Sequence, residues 1–166
     1  MKQTLNIFMV FAFALLVSCG GKEEKKKEGF SYEKPTTTEK KVEKKEEKVP
    51  ASKRIDLTNK GVGKITSVTL GAEIDQAMAT KGADVYKKMC TACHRADKKF
   101  IGPAPKGILE RRTPEWIMNM ILDPEKMVAE DALAKELLIE FNGSPMANQG
   151  LTEEEARAVL EYFRTL

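Results

Sequence analysis

The chain has 166 residues, 32 % of them charged, with a net charge of +3, one histidine and three cysteines. That length leaves room for one domain of ordinary size. A single histidine excludes any site that needs two within the chain. Three cysteines and that histidine are too few for a four-ligand zinc centre once one cysteine is spoken for elsewhere.

Residues 1–18 read as an export signal. Met1 to Asn6 is a short basic start, Ile7 to Val17 is an unbroken apolar run, and Ser18-Cys19-Gly20 follows. Eleven apolar residues are too few to span a bilayer, so a cleaved signal is expected. Leu16-Val17-Ser18-Cys19 resembles the bacterial lipobox, which makes Cys19 the lipidated first residue of the mature protein; the alternative is a plain signal cut near Ser18. Gly20 after that cysteine favours the outer membrane, and Glu23-Glu24 resembles a surface-export signal.

From Gly20 to Pro50 ten lysines and eight glutamates leave almost nothing apolar beyond Phe30, Tyr32, Val42 and Val49. Such a stretch cannot bury enough surface to offset its ordering entropy, so residues 19–50 are expected to be a lipid anchor and solvated tether reaching roughly 30 Å.

Residues 51–81 begin with an extended arm around Gly61 to Gly71, expected to lie over a helical body with at most one short β contact. From Glu73 onward Ile74, Ala77 and Met78, then Gly82, Val85, Tyr86 and Met89, recur at helical spacing. Gly82 in mid-helix costs about 1 kcal/mol relative to Ala, which points to another helix crossing there.

That helix runs into Cys90-Thr91-Ala92-Cys93-His94, the attachment pattern of a c-type haem. One helical turn brings two thiols to the porphyrin edge, where they add to its vinyl groups as thioethers, and His94 turns its imidazole to the iron. Two cysteines for one haem and Cys19 for lipid leave no free thiol. A basic loop follows to Gly102-Pro103-Ala104-Pro105, whose prolines hold a rigid backbone; a carbonyl there is placed to fix the His94 tautomer.

Thr113-Pro114-Glu115 is a strong helix start, with Trp116, Ile117, Met120 and Ile121 as its apolar stripe. The Trp116 N–H has two candidate partners, a haem propionate or a core acceptor. Asp123-Pro124-Glu125 repeats the start, and a helix carrying Leu133, Leu137, Leu138 and Phe141 runs to Asn142-Gly143. Ser144 to Gly150 is a polar loop with Met146 in its middle. Thr152-Glu153-Glu154-Glu155 is a capping box, and Ala156, Val159, Leu160 and Phe163 mark the buried face of the last helix.

With His94 the sole histidine, the sixth iron ligand is a methionine, lysine, water or nothing. Methionines normally fill cores, which is the reading for Met89, Met118 and Met120. Met146 lies in a loop and is the expected ligand; Met127, just after Asp123-Pro124, is the alternative.

Gly82, Tyr86, Cys90, Cys93, His94, Gly102, Pro103, Met146 and Tyr162 stand in the order found in the class I cytochrome c family, which residues 82–166 resemble. The resemblance implies an all-α fold, preceded here by the arm, in which the first and last helices cross at Gly82 and Tyr162. It also implies that the carbonyl of Pro103 takes the axial histidine's N–H. A departure is that Pro145 precedes Met146 rather than following it. Lys60 to Gly63, Arg111 to Met120 and Pro145 to Gln149 are similar to small lipoprotein cytochromes associated with nitrous oxide reductase. That similarity implies a periplasmic copper reductase as acceptor, a quinol-linked or other cytochrome as donor, and anaerobic respiration as the setting.

Charge divides along the chain: Lys81 to Arg112 carries net +6 and Thr113 to Leu166 net −7. A positive half around the haem edge would steer an acidic partner; the plainer reading is that Lys98, Lys99, Arg111 and Arg112 form a solvated face. An electron shuttle with a closed His/Met haem is the expected function, with a gas sensor or ligand-binding module using a displaceable Met146 as the alternative. No enzymatic role and no nucleic-acid partner are expected, since a peroxidase would want a second, distal histidine.

Overall fold

Each helix of the computed structural model, which describes residues 49–166, begins where the sequence supplies a side chain for its orphan amides. The expected signal, Cys19 and the tether as far as residue 48 lie outside the described residues. Helix α1 (Gln76–Met89) is capped by Asp75, whose carboxylate accepts the Met78 N–H at 2.9 Å. Helix α2 (Pro114–Leu122) starts behind Thr113, α3 (Pro124–Glu130) behind Asp123, α4 (Ala132–Glu140) behind Asp131, and α5 (Glu153–Phe163) behind the reciprocal Thr152–Glu155 capping box. A 3-10 turn spans Ile108–Glu110. The described residues contain no strand, and none of their helices is long and apolar enough to cross a membrane.

Two boundaries differ from expectation. Helix α1 starts at Gln76 rather than Glu73, because Asp75 takes the capping position. The single helix expected from Pro124 to Phe141 is two: Asp131 adopts extended backbone (φ −99°, ψ 124°), and its carboxylate accepts the Ala134 N–H at 2.7 Å to start a new helix.

Helix α1 crosses α5 at Gly82. A Cβ there would stand 1.9 Å from the Ala158 carbonyl oxygen and 2.8 Å from the Val159 nitrogen, so only glycine allows this approach. One turn on, Tyr86 packs against Tyr162 and Phe163 at ring-centre distances of 5.3 and 5.8 Å. The core continues through Ile117, Val159, Leu160, Leu137 and Phe141, each buried and each contributing about 1.5–3 kcal/mol by leaving water.

The arm makes one parallel bridge, Asp56 to Arg112. Elsewhere its backbone groups, which cannot stay buried unpaired, find helix side chains. Buried Asn119 accepts from Ile65 N–H at 3.0 Å and donates to the carbonyls of Lys60 and Ile65. Glu115 accepts from Val68 N–H, and Glu161 from Asp75 N–H. Met127, expected to face outward as the alternative iron ligand, is wholly buried: its sulphur lies 3.1 Å from the Val62 amide, which donates to it.

Candidate functional site

The last turn of α1 continues into the two-cysteine motif. Cys90 N–H donates to Tyr86, and both Cys93 N–H and His94 N–H donate to the Cys90 carbonyl at 3.1 and 2.9 Å. This tight turn brings Cys90, Cys93 and His94 together in the lining of one cavity. Burial, with a smaller effect of Cys93, pushes the Cys90 thiol up to about 11. Among the described residues no three His, Cys, Asp or Glu side chains group as a metal cage.

His94 is held from two sides. Its Nδ1 lies 2.8 Å from the Pro103 carbonyl oxygen. A carbonyl only accepts, so Nδ1 carries the proton and Nε2 keeps its lone pair for a metal. The ring packs on Gly102, where a Cβ would come within 2.5 Å of it. The loop carrying both residues is closed by Gly102 N–H to Cys93 O and Lys106 N–H to Ala96 O.

The same cavity is lined by Met146, by Phe141 at the C-terminal cap of α4, and by Ile117 and Met120 of α2. These walls are apolar, as a flat hydrophobic macrocycle requires. The hydroxyl of Tyr86, another lining residue, is the one buried side-chain polar atom of the described residues that no protein group satisfies. Burial pushes it up to about 12, so it stays protonated. An orphan hydroxyl beside two thiols, a free imidazole nitrogen and a thioether is what a haem pocket would present: Cys90 and Cys93 for covalent attachment, His94 for the iron, and apolar walls for both faces.

The cavity therefore gathers Cys90, Cys93, His94, Pro103, Trp116 and Met146. It does not include Met127. Trp116 lines the wall, and of its two candidate partners the N–H donates to the core acceptor, Asp131, at 3.1 Å, at the cap of α4. Sequence reading missed Met89, placed in the core but 37 % exposed on the cavity rim, and Arg112, taken for part of a solvated face but buried in the wall. Met89 had a signal, since it directly precedes Cys90; Arg112 had none.

A family model for cytochrome c matches residues 79–166. Among solved structures, a cytochrome c from Rhodothermus marinus is 40 % identical, with a TM-score of 0.61, covering 70 % of this chain and 92 % of its own. An engineered form of that protein is 39 % identical at a TM-score of 0.60, and the engineered protein bound to a carbene intermediate is 39 % identical at 0.58; each covers 70 % of this chain and 93 % of its own. No curated protein matches significantly. The matched region contains both cysteines, the histidine and the helix crossing that positions them, and the chain belongs to the cytochrome c family, binding haem c covalently through Cys90 and Cys93.

Proposed function

We propose that this cytochrome is a membrane-tethered electron carrier with His94 and Met146 as its two axial ligands, passing electrons to a periplasmic respiratory reductase of the copper type such as nitrous oxide reductase. Haem-based electron transfer is the work of the family, and its domains typically function outside the cytoplasm. The observation that carries the ligation is that Met146 and His94 line one cavity, with the Pro103 carbonyl leaving His94 Nε2 free.

When bound, the haem would supply a reversible one-electron iron couple, and a thioether ligand from Met146 together with His94 would favour its reduced form. The chain's own residues do the rest. Pro103 and Gly102 hold the imidazole in one tautomer and one orientation, which would keep His94 Nε2 aimed at a bound iron. The apolar walls exclude water. Phe100 and Ile101, 46 and 47 % exposed beside Lys98 and Lys99, supply an apolar contact inside a positive field, suited to an acidic partner.

Cys19 as a lipid site and residues 19–50 as the anchor and charged tether complete this reading, with the outer membrane favoured. The gas-sensing alternative draws on the Met146 loop, held at its start by Ser144 N–H to the Phe141 carbonyl at 3.1 Å and on to α2 by a long bond from the Asn148 amide to the Leu122 carbonyl at 3.3 Å. The reduced holoprotein, mixed with a copper nitrous oxide reductase, is expected to be reoxidised only when nitrous oxide is added, more slowly at higher salt. No reoxidation, together with carbon monoxide binding to the untreated protein, would favour the sensor.

A further inference from the structure

Helix α4 is the scaffold from which the Met146 loop hangs. Its last carbonyls carry the first turn of that loop: Asn142 N–H donates to Ile139 O at 3.2 Å, Gly143 N–H to Leu138 O at 2.8 Å and Ser144 N–H to Phe141 O at 3.1 Å. Asn142 and Gly143 take left-handed backbone, with φ 58° and 72°, and end the helix there. From Pro145 to Gly150 the one hydrogen bond among the described residues that leaves the loop is the long one from Asn148 to Leu122. Where Met146 sits is therefore set largely by where α4 ends.

Helix α4 has little helical support of its own. Ala134, Leu137 and Leu138 turn one face to the cavity, and the chief helix neighbour is the short α3. The arm supplies the rest. Ser52 grips the last helical residue, Glu140, twice, N–H to Oε2 at 2.8 Å and Oγ–H to Oε1 at 2.5 Å, and Arg54 pairs with Glu136 one turn earlier at 2.6 Å. This part of the arm is fixed in turn: Lys53 N–H and Arg54 N–H donate to the Pro50 carbonyl, and Asp56 N–H donates to Arg111 O at 2.9 Å, just before α2. A carboxylate at the C-terminal end of a helix opposes the macrodipole, so Glu140 is misplaced for α4 alone and is accounted for by the two Ser52 donors. Ser52 lines the same cavity as Phe141, Ser144 and Met146.

We propose that Ser52 and Glu140 form a clasp by which the arm holds the base of the Met146 loop closed, which makes both of them positioning residues for the sixth ligand. This rests on the reading of Met146 as that ligand. A small molecule that binds the iron must compete with the thioether, and its apparent affinity scales with the fraction of molecules whose loop has swung away. Loosening the base raises that fraction. The exposed Arg54–Glu136 pair ties the same two segments a turn away from the loop, so its loss leaves the fraction alone and costs little stability.

The test titrates imidazole into the oxidised full-length holoprotein at neutral pH and follows the methionine-to-iron charge-transfer band, for the parent, Ser52→Ala, Glu140→Ala, Glu140→Gln and Arg54→Ala, with Tm measured alongside. Glu140→Ala is expected to bind imidazole several-fold more tightly than the parent. Ser52→Ala gains less, because its N–H still reaches the carboxylate, and Glu140→Gln falls between parent and Glu140→Ala, because its amide oxygen still accepts. Arg54→Ala is expected to match the parent in affinity even where its Tm falls. Affinity unchanged in Glu140→Ala, or raised as far in Arg54→Ala, would overturn the clasp. If Glu140→Ala yields no holoprotein, unchanged affinity in Ser52→Ala overturns it instead. A parent without the band sinks the Met146 ligation and the clasp with it, an outcome distinct from a parent that shows the band while its variants all bind imidazole alike, which sinks the clasp alone.

Discussion

Replacing Gly82 by Ala sets two known effects against each other. In a helix interior Ala is favoured over Gly by about 1 kcal/mol. The added Cβ, however, would sit 1.9 Å from Ala158 O, 2.4 Å from Ala158 C and 2.8 Å from Val159 N, all backbone atoms that cannot rotate aside. Restoring an ordinary carbon contact means moving α1 off α5 by roughly 1.5 Å. That strains a packed core by about 1–3 kcal/mol and loosens the Tyr86 contacts with Tyr162 and Phe163, worth about 0.5–1.5 kcal/mol each. The net expectation is a loss of about 2 kcal/mol, or roughly 10 °C in Tm for a domain of this size. Thermal unfolding of the oxidised holoprotein, followed by circular dichroism, reads it directly. A Gly82→Ala protein as stable as the parent would refute the claim that this crossing needs glycine.

Acid should unfold the protein by a nameable route. Burial alone would raise Glu161, but Arg157, the Asp75 N–H and Arg164 outweigh it and hold the carboxyl below its ordinary range; Glu115 is held down likewise by its own N–H, Val68 N–H and Lys60. Both folded pKa values are depressed, so their stabilisation is complete above the ordinary carboxylate range and fades as pH falls from about 4 through the folded values. Melts between neutral pH and about pH 3 should show this loss, with a shallower acid slope in Glu161→Gln; an unchanged slope would remove Glu161 from the account. Trp116→Phe is expected to cost about 1.5–3 kcal/mol by depriving Asp131 of a charge-assisted bond, while the haem spectrum stays as it is. A shifted spectrum would mean that the indole N–H serves the cofactor after all.

What was legible in the sequence was local chemistry. Thr113, Asp123 and Thr152 announce helix starts because a cap and the amide it serves lie within three residues. The haem motif is legible because thioether spacing is one helical turn, and Gly82 because a helical glycine is costly without a close neighbour. The exceptions depend on segments far apart in the chain. Met127 follows a solvent-facing start signal, yet the arm passes over it and offers the Val62 amide to its sulphur. Asp131 ends one helix and caps the next in a stretch whose apolar spacing runs straight through. Arg112 looks like its neighbour Arg111, but three carbonyls, two of them from the arm, draw it inside.

The central claim is a closed haem with His94 and Met146 on the iron. Its most direct test is the weak methionine-to-iron charge-transfer band in the near-infrared absorption of the oxidised protein, measured for the parent, Met146→Ala and Met127→Leu. The account predicts the band in the parent and in Met127→Leu, and its loss in Met146→Ala. A band that survives without Met146, or a high-spin parent, would contradict it.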